Sequence, residues 1–286
     1  MERKLRTITR IMAAVLVVLI IVLAAVIYFK MKDSDKKDSD DAKSKAKSEQ
    51  TADGEPASDV PVDMPLIPNM EAGAIVDRAL VDMGQLDQYF VANEISEDIF
   101  QFINGMSYVE NPNISREQLR YIKVLHYNFN HEVQVGELIV NANIAEDVRN
   151  IFRELFEQEY EIQSMYLIER FWTGDGSSSD RSSIENNNTS AFNYRTIAGT
   201  DQLSNHALGY AIDINPLQNP YVAYNADGSF REIYPEMERF IDRANGEPHM
   251  IGHEDVCYQI FTRYGFTWGG DWADPIDYQH FEKNLG

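Results

Sequence analysis

Hydrophobic patterning divides this chain into three unequal parts. Ile11–Phe29 is a run of nineteen residues without a charge, about the length a helix needs to cross a hydrocarbon core. The run ends in "VIYFKMK", bulky where a cleaved leader would carry small residues, so a retained anchor over 11–29 is favoured over a signal peptide. Residues 30–65 contain no aromatic side chain and few branched aliphatic ones. Such a stretch buries too little apolar surface to offset its ordering entropy and reads as a disordered linker. Periodic patterns begin beyond it. Residues 66–115 read as a helical region, with Ser96 capping "EDIFQF" and Gly105 as the stop. The stretches "RYIKVLHYNFN" and "EVQVGELIVN" read as two strands joined by a turn near Asn130–His131. In "IAEDVRNIFRELFEQ", Val148, Ile151, Phe152, Leu155 and Phe156 fall on one helical face. Further strands are expected at "IQSMYLIERF", "AFNYR" and "YAIDIN", a polar loop at 173–190 and a helix over Glu254–Tyr264. Mixed elements without regular alternation predict an α+β fold, a small and mostly antiparallel sheet with flanking helices.

Charge sharpens this division. Residues 1–65 carry eleven basic and eleven acidic side chains, so the net charge of −21 falls on residues 66–286. That sign excludes a nucleic-acid binder, which would concentrate Lys and Arg. Arg3, Lys4, Arg6 and Arg10 precede the apolar run and predict a basic cytoplasmic segment over 1–10, with the bulk of the chain outside. Cys257 is the sole cysteine, so no internal disulfide forms.

Among six histidines, His126 and His131 read as structural or solvated. His249 and His253 have the spacing of a helical metal pair, but Gly252 and Pro248 argue against a helix there. In "SNHALGYAID", His206 and Asp213 stand seven residues apart. On a straight strand they would face opposite ways, but Gly209 allows the chain to bend and bring them together. "DPIDYQHFEK" adds His280, and a helix beginning at Asp274–Pro275 would place Asp277 on the same side. Two histidines and a carboxylate fit a catalytic zinc set with an open position, with a further carboxylate as general base. In a chain this acidic, an accidental trio is the competing reading.

"SNHALGYAID" resembles the S-x-H-x-x-G-x-A-x-D pattern of the D-alanyl-D-alanine carboxypeptidase family of bacterial zinc peptidases, a family that includes L-alanyl-D-glutamate endopeptidases. "NNTSAFNYR", "DINPLQNPY" and "WGGDW…DYQHFE" look like its branch with Asp before the last histidine, and the likeness runs over about 116–283. The resemblance implies a zinc peptidase domain over 116–286, its helices and sheet enclosing a zinc cleft. It implies His206, Asp213 and His280 as Zn2+ ligands, Asp277 as the catalytic carboxylate and Arg195 as the cation beside substrate or oxyanion. Ser204 would hydrogen-bond substrate or cap the backbone. Trp268 and Trp272 would line or support the cleft. The implied partners are peptidoglycan peptides, with the lipid bilayer held by residues 11–29, at the outer side of a bacterial cell membrane. The motifs lean toward D-alanyl-D-alanine carboxypeptidase and leave the endopeptidase open; a catalytically inactive wall-binding module is the rival from another class.

Overall fold

Two nine-residue strands, β3 (Leu119–Tyr127) and β4 (Val133–Asn141), form the long hairpin around which the fold is assembled. Both fall where apolar alternation placed them, and the turn between them holds His131 at φ 60. The structure is a computed structural model that describes residues 69–197, 199–232 and 235–283. The expected span 11–29 and linker 30–65 lie outside the described residues. Among the described residues, no helix is long and apolar enough to cross a membrane.

The hairpin is flanked by β1 (Ile75–Val76), which pairs with β4, and β2 (Val91–Glu94), which pairs with β3. The sheet order is therefore β1-β4-β3-β2. The expectation that 66–115 is helical holds in part: 3-10 turns cover Arg78–Leu80 and Met83–Tyr89, while β1 and β2 join the sheet. Among the described residues, α1 (Glu97–Ile103) is the one α-helix of this stretch, capped as expected by Ser96, whose hydroxyl accepts from Ile99 N at 3.3 Å. The two strands are too short to show alternation; pairing with the hairpin defines them.

α2 (Ala145–Glu157) buries Val148, Ile151, Phe152, Leu155 and Phe156, the face its periodicity predicts. β5 (Ser164–Met165) and β6 (Asn188–Thr189) form a short parallel pair. Between them lies a correction: the expected polar loop contains α3 (Gly176–Glu185). Asp175 caps it, accepting from Ser177 N and Ser178 N at 2.9 Å. The "AFNYR" segment is not a strand; Phe192 N and Asn193 N donate instead to Ile139 O and His206 O.

The remaining strands are β7 (Ala211–Asp213), β8 (Tyr221–Tyr224), β9 (Phe230–Glu232), β10 (Thr267–Trp268), β11 (Ile276–Asp277) and β12 (His280–Glu282). They form two antiparallel sheets, β10-β12-β7 and β11-β8-β9. The expected helix at Asp274–Pro275 is thus replaced by two strands, because each finds a partner elsewhere in the chain. β11 pairs with β8 and β12 pairs with β7. α4 (Val256–Arg263), capped by Asp255, completes the described α-helices.

The larger apolar cluster links these parts to the hairpin. Phe152 of α2 meets Phe261 of α4 edge-on at 6.3 Å, and Phe261 stacks on Phe281 of β12 at 4.3 Å. Ile212 and Phe281 are both fully buried in this cluster. Successive strand residues face opposite ways. Anchoring Ile212 and Phe281 in the core therefore turns Asp213 and His280 away from it.

His126 of β3 is buried, and burial pulls its imidazole down to about 4. As pH falls from 6.5 toward 4, the unfolded chain takes up a proton that the folded one refuses, so stability is lost in that window. Glu169 works the other way: burial pushes its carboxyl up to about 7, so its contribution is lost as pH rises through that value. Comparison with His126→Gln isolates the histidine. Urea unfolding at pH 7 and pH 4 should show the stability difference between wild type and variant shifting by about 3 kcal/mol against wild type at the lower pH. A difference independent of pH would exclude this role.

Candidate functional site

The segment Ser204–Asp213 is shaped by its own small residues. Ser204 caps a 3-10 turn over Asn205–Leu208, its hydroxyl accepting from His206 N at 3.3 Å. Gly209 ends the turn at φ 71, and a Cβ there would stand 2.6 Å from Asn141 N. Asn141 of β4 binds both sides of this bend, donating from N to Gly209 O at 2.8 Å and from Nδ2 to Leu208 O at 3.0 Å. The chain then enters β7, where Asp213 is register partner of His280 on β12. A helical turn, a left-handed glycine and a strand thus replace the straight strand on which His206 and Asp213 would diverge.

The outcome is a buried trio. His206, Asp213 and His280 each offer a ligand atom, all within 4.8 Å of one another. His206 Nε2 lies 3.3 Å from Asp213 Oδ2 and 3.2 Å from His280 Nδ1, which is 3.1 Å from Asp213 Oδ1. The outer ring nitrogens are engaged. His206 Nδ1 donates to Ala191 O at 2.6 Å, and His280 Nε2 to Glu282 Oε2 at 3.0 Å. Asn205 Nδ2 also donates to Glu282 Oε2, at 2.5 Å. With neutral imidazoles these bonds set the tautomers, so a bound cation would meet an unprotonated nitrogen of each ring at the point faced by Asp213, as the second shell of a metal site arranges. Burial raises the Asp213 carboxyl, but His206 and His280 outweigh it and hold the group well below the carboxylate range. Burial lowers His280, and the carboxylates of Asp213 and Glu282 reverse this, to about 10. Three mutually dependent buried polar groups converging on one point fit a divalent cation, which would satisfy all three at once.

Asp277 stands beside the trio on β11, 8% exposed, and its Oδ1 has no hydrogen-bond partner among the described residues. Burial first, and the charge of Asp213 second, push its carboxyl up to about 7. Gly269 of "WGGDW" makes the proximity possible: a Cβ there would meet Asp277 O at 2.6 Å and His280 Cβ at 3.2 Å. Trp268 is buried and donates from Nε1 to Tyr278 O at 2.8 Å, supporting the β11–β12 turn. Trp272 is partly exposed, its ring centre 5.2 Å from that of His280.

His206, Asp213, Asp277, His280, Glu282 and Trp272 line a cleft of about 690 Å³ that also holds Ser204 and Arg195. Arg195 Nη2 donates to Asp180 Oδ2 of α3 at 2.7 Å. Asp180 lies outside the quoted motifs and Glu282 lies within one, but neither was given a role in the site. Glu282, two positions after His280, was legible as a polar residue on the same strand face; Asp180 lay hidden in the apparent loop. The other histidines stay apart. His249 stacks on Phe129 and His253 Nε2 lies 2.7 Å from Asp271 Oδ1, so they form no pair.

Residues 198–283 match the family model described as D-alanyl-D-alanine carboxypeptidase. The matched stretch contains Ser204, His206, Asp213, Asp277 and His280, so the resemblance carried by the motifs holds there; Arg195 and α3 precede it. No curated protein and no solved structure matches the chain.

Two substitutions test the scaffold of the site. Gly209→Ala forces a side chain onto the Asn141 backbone at positive φ, a strain of about 1–3 kcal/mol. It should lower the melting temperature and the bound metal per chain. Glu282→Ala frees His280 Nε2 and should weaken metal affinity roughly 10–100-fold. Metal titration followed by calorimetry reads both; unchanged affinity in Glu282→Ala would remove it from the site.

Proposed function

We propose that this chain is a zinc-dependent peptidase that hydrolyses peptidoglycan stem peptides, acting as a D-alanyl-D-alanine carboxypeptidase. The observation that carries this reading is the buried His206–Asp213–His280 convergence with Asp277 beside it, whose Oδ1 has no hydrogen-bond partner among the described residues. The family match over 198–283 supports it.

His206 Nε2, an Asp213 oxygen and His280 Nδ1 would hold the ion. Bound there, zinc supplies Lewis-acid polarisation of the scissile carbonyl and acidifies water. Asp277 is the group placed to move protons: a carboxylate oxygen takes one from the attacking water and returns it to the leaving amine nitrogen. Arg195, oriented by Asp180, offers its guanidinium to the negative charge that develops on the carbonyl oxygen. Ser204 caps the turn that carries His206 and, lining the cleft, also stands where its hydroxyl can hydrogen-bond substrate. Trp272 covers His280 and helps exclude bulk water.

The endopeptidase reading keeps the same machinery and differs in the bond presented to it. The wall-binding reading leaves Asp277 without a task.

Residues 11–29 and the linker complete the proposal: a span that places the domain outside the cell, near its substrate. Protease added to intact protoplasts should then cut within 31–65 and release the domain. Protection of the domain would overturn the orientation.

The chemical assignment separates by variant. Asp277→Ala should retain stoichiometric zinc and lose turnover by roughly 10²–10⁴-fold, whereas His206→Ala and His280→Ala should lose the metal as well. Zinc lost from the aspartate variant and kept in both histidine variants would reverse the roles. A stem pentapeptide should release free D-alanine, read by mass spectrometry. A cut after L-alanine would favour the endopeptidase, and zinc-loaded chain that leaves every wall fragment intact would favour the binding module.

A further inference from the structure

A buried amide oxygen without a hydrogen bond is costly, and a fold keeps one where a group from outside satisfies it. Two buried side-chain oxygens of residues lining the cleft lack a partner among the described residues. One is Oδ1 of Asp277, which the proposed chemistry uses. The other is Oε1 of Gln279, which it does not. Gln279 is 4% exposed and lies between Asp277 and His280, on the wall that carries both. Its place is not that of a loose turn. Gln279 O accepts from Ile214 N at 3.0 Å, which extends the pairing of β7 with β12 by one residue. The preceding residue is held on both sides: Tyr278 N donates to Pro220 O at 3.2 Å, and Tyr278 O accepts from Trp268 Nε1 at 2.8 Å.

The chemistry of the atom selects its partner. A neutral amide oxygen is matched by a neutral donor, and a peptide in the cleft brings one N–H per residue. The scissile nitrogen is already assigned, since it takes its proton from Asp277. The next N–H along the peptide on the acyl side belongs to the residue that contributes the scissile carbonyl. A donor there reaches the wall of Asp277 and His280 while the carbonyl faces the trio.

We infer that Gln279 is a substrate-binding residue whose Oε1 accepts a hydrogen bond from the N–H of the residue contributing the scissile carbonyl. This rests on the peptidase reading in its carboxypeptidase form, and it adds a demand on the peptide backbone: a secondary amide on the acyl side of the cleaved bond. In a stem pentapeptide that N–H is the one of the fourth residue, D-alanine. One hydrogen bond to an otherwise unsatisfied buried oxygen should account for about tenfold in affinity.

The test uses the zinc-loaded full-length chain in detergent, with Asp277→Ala to prevent turnover. Calorimetry measures binding of L-Ala-γ-D-Glu-L-Lys-D-Ala-D-Ala and of an analogue in which D-lactate replaces the fourth residue. The analogue has an ester oxygen in place of that N–H and keeps the scissile amide. It should bind about tenfold more weakly. Adding Gln279→Met, close in size but without the oxygen, should weaken binding of the parent peptide by a similar factor and abolish the difference between the two ligands. Equal binding of peptide and ester by the chain that retains Gln279 would overturn the inference, whatever the variant does. So would a Gln279→Met chain with normal zinc content that binds the parent peptide unchanged or still distinguishes the two; a lowered melting temperature in such a chain would mark the oxygen as the partner of a structural water. The two readings fail separately. A chain with Asp277 intact that releases D-alanine, but whose binding ignores the ester, refutes only the role of Gln279. A chain that shows the expected dependence on Gln279 yet hydrolyses no peptide when Asp277 is intact refutes only the peptidase assignment.

Discussion

A carboxylate and two imidazoles are forced together out of water in this domain, and that constraint organises the rest. Burying a charge without partners costs several kcal/mol, so every neighbour of the trio has a role in satisfying it. The Ala191 carbonyl and Glu282 take the outer nitrogens of His206 and His280, and Asn205 supports Glu282 in turn. The strand register that sets Asp213 opposite His280 is held from behind by Ile212 and Phe281, both fully buried. Core packing and site geometry are therefore one problem here: displacing Phe281 from its stack on Phe261 would rotate His280 as well.

Much of the site was legible because it is local. Ser204, His206, Gly209 and Asp213 lie within ten residues, and the bend they need is encoded by a glycine whose left-handed backbone an L side chain would strain. His280 and Asp277 were legible as residues but not as geometry. A helix from Asp274–Pro275 was a reasonable local reading; pairing of Asp277 with Tyr221 and of His280 with Asp213, partners more than fifty residues away, overrode it. The long hairpin and α2 were read correctly because nine and thirteen residues are enough for a period to emerge.

What escaped was structure without apolar periodicity. α3 reads "GSSSDRSSIE", and the residues it buries are Ser179 and Ser183, small polar side chains that no hydrophobic pattern marks. Only Asp175 before it signalled a cap. β1 and β2 failed for a related reason, since two to four residues carry no period of their own. Their place is set by the free edges of the hairpin.

Asp277 and His280, three residues apart, belong to different sheets: β11 continues into β8 and β9, while β12 continues into β7 and β10. In the proposed chemistry the proton carrier and the metal set thus sit on separate foundations, joined by the Tyr278–Gln279 turn. Pairing with Tyr221 and Val222 of β8 sets the position of the carboxylate, and pairing with Ala211–Asp213 of β7 sets that of His280. Substitutions in β8 or β9 therefore reach the proposed proton carrier by a path that does not run through β7, the strand that carries Asp213.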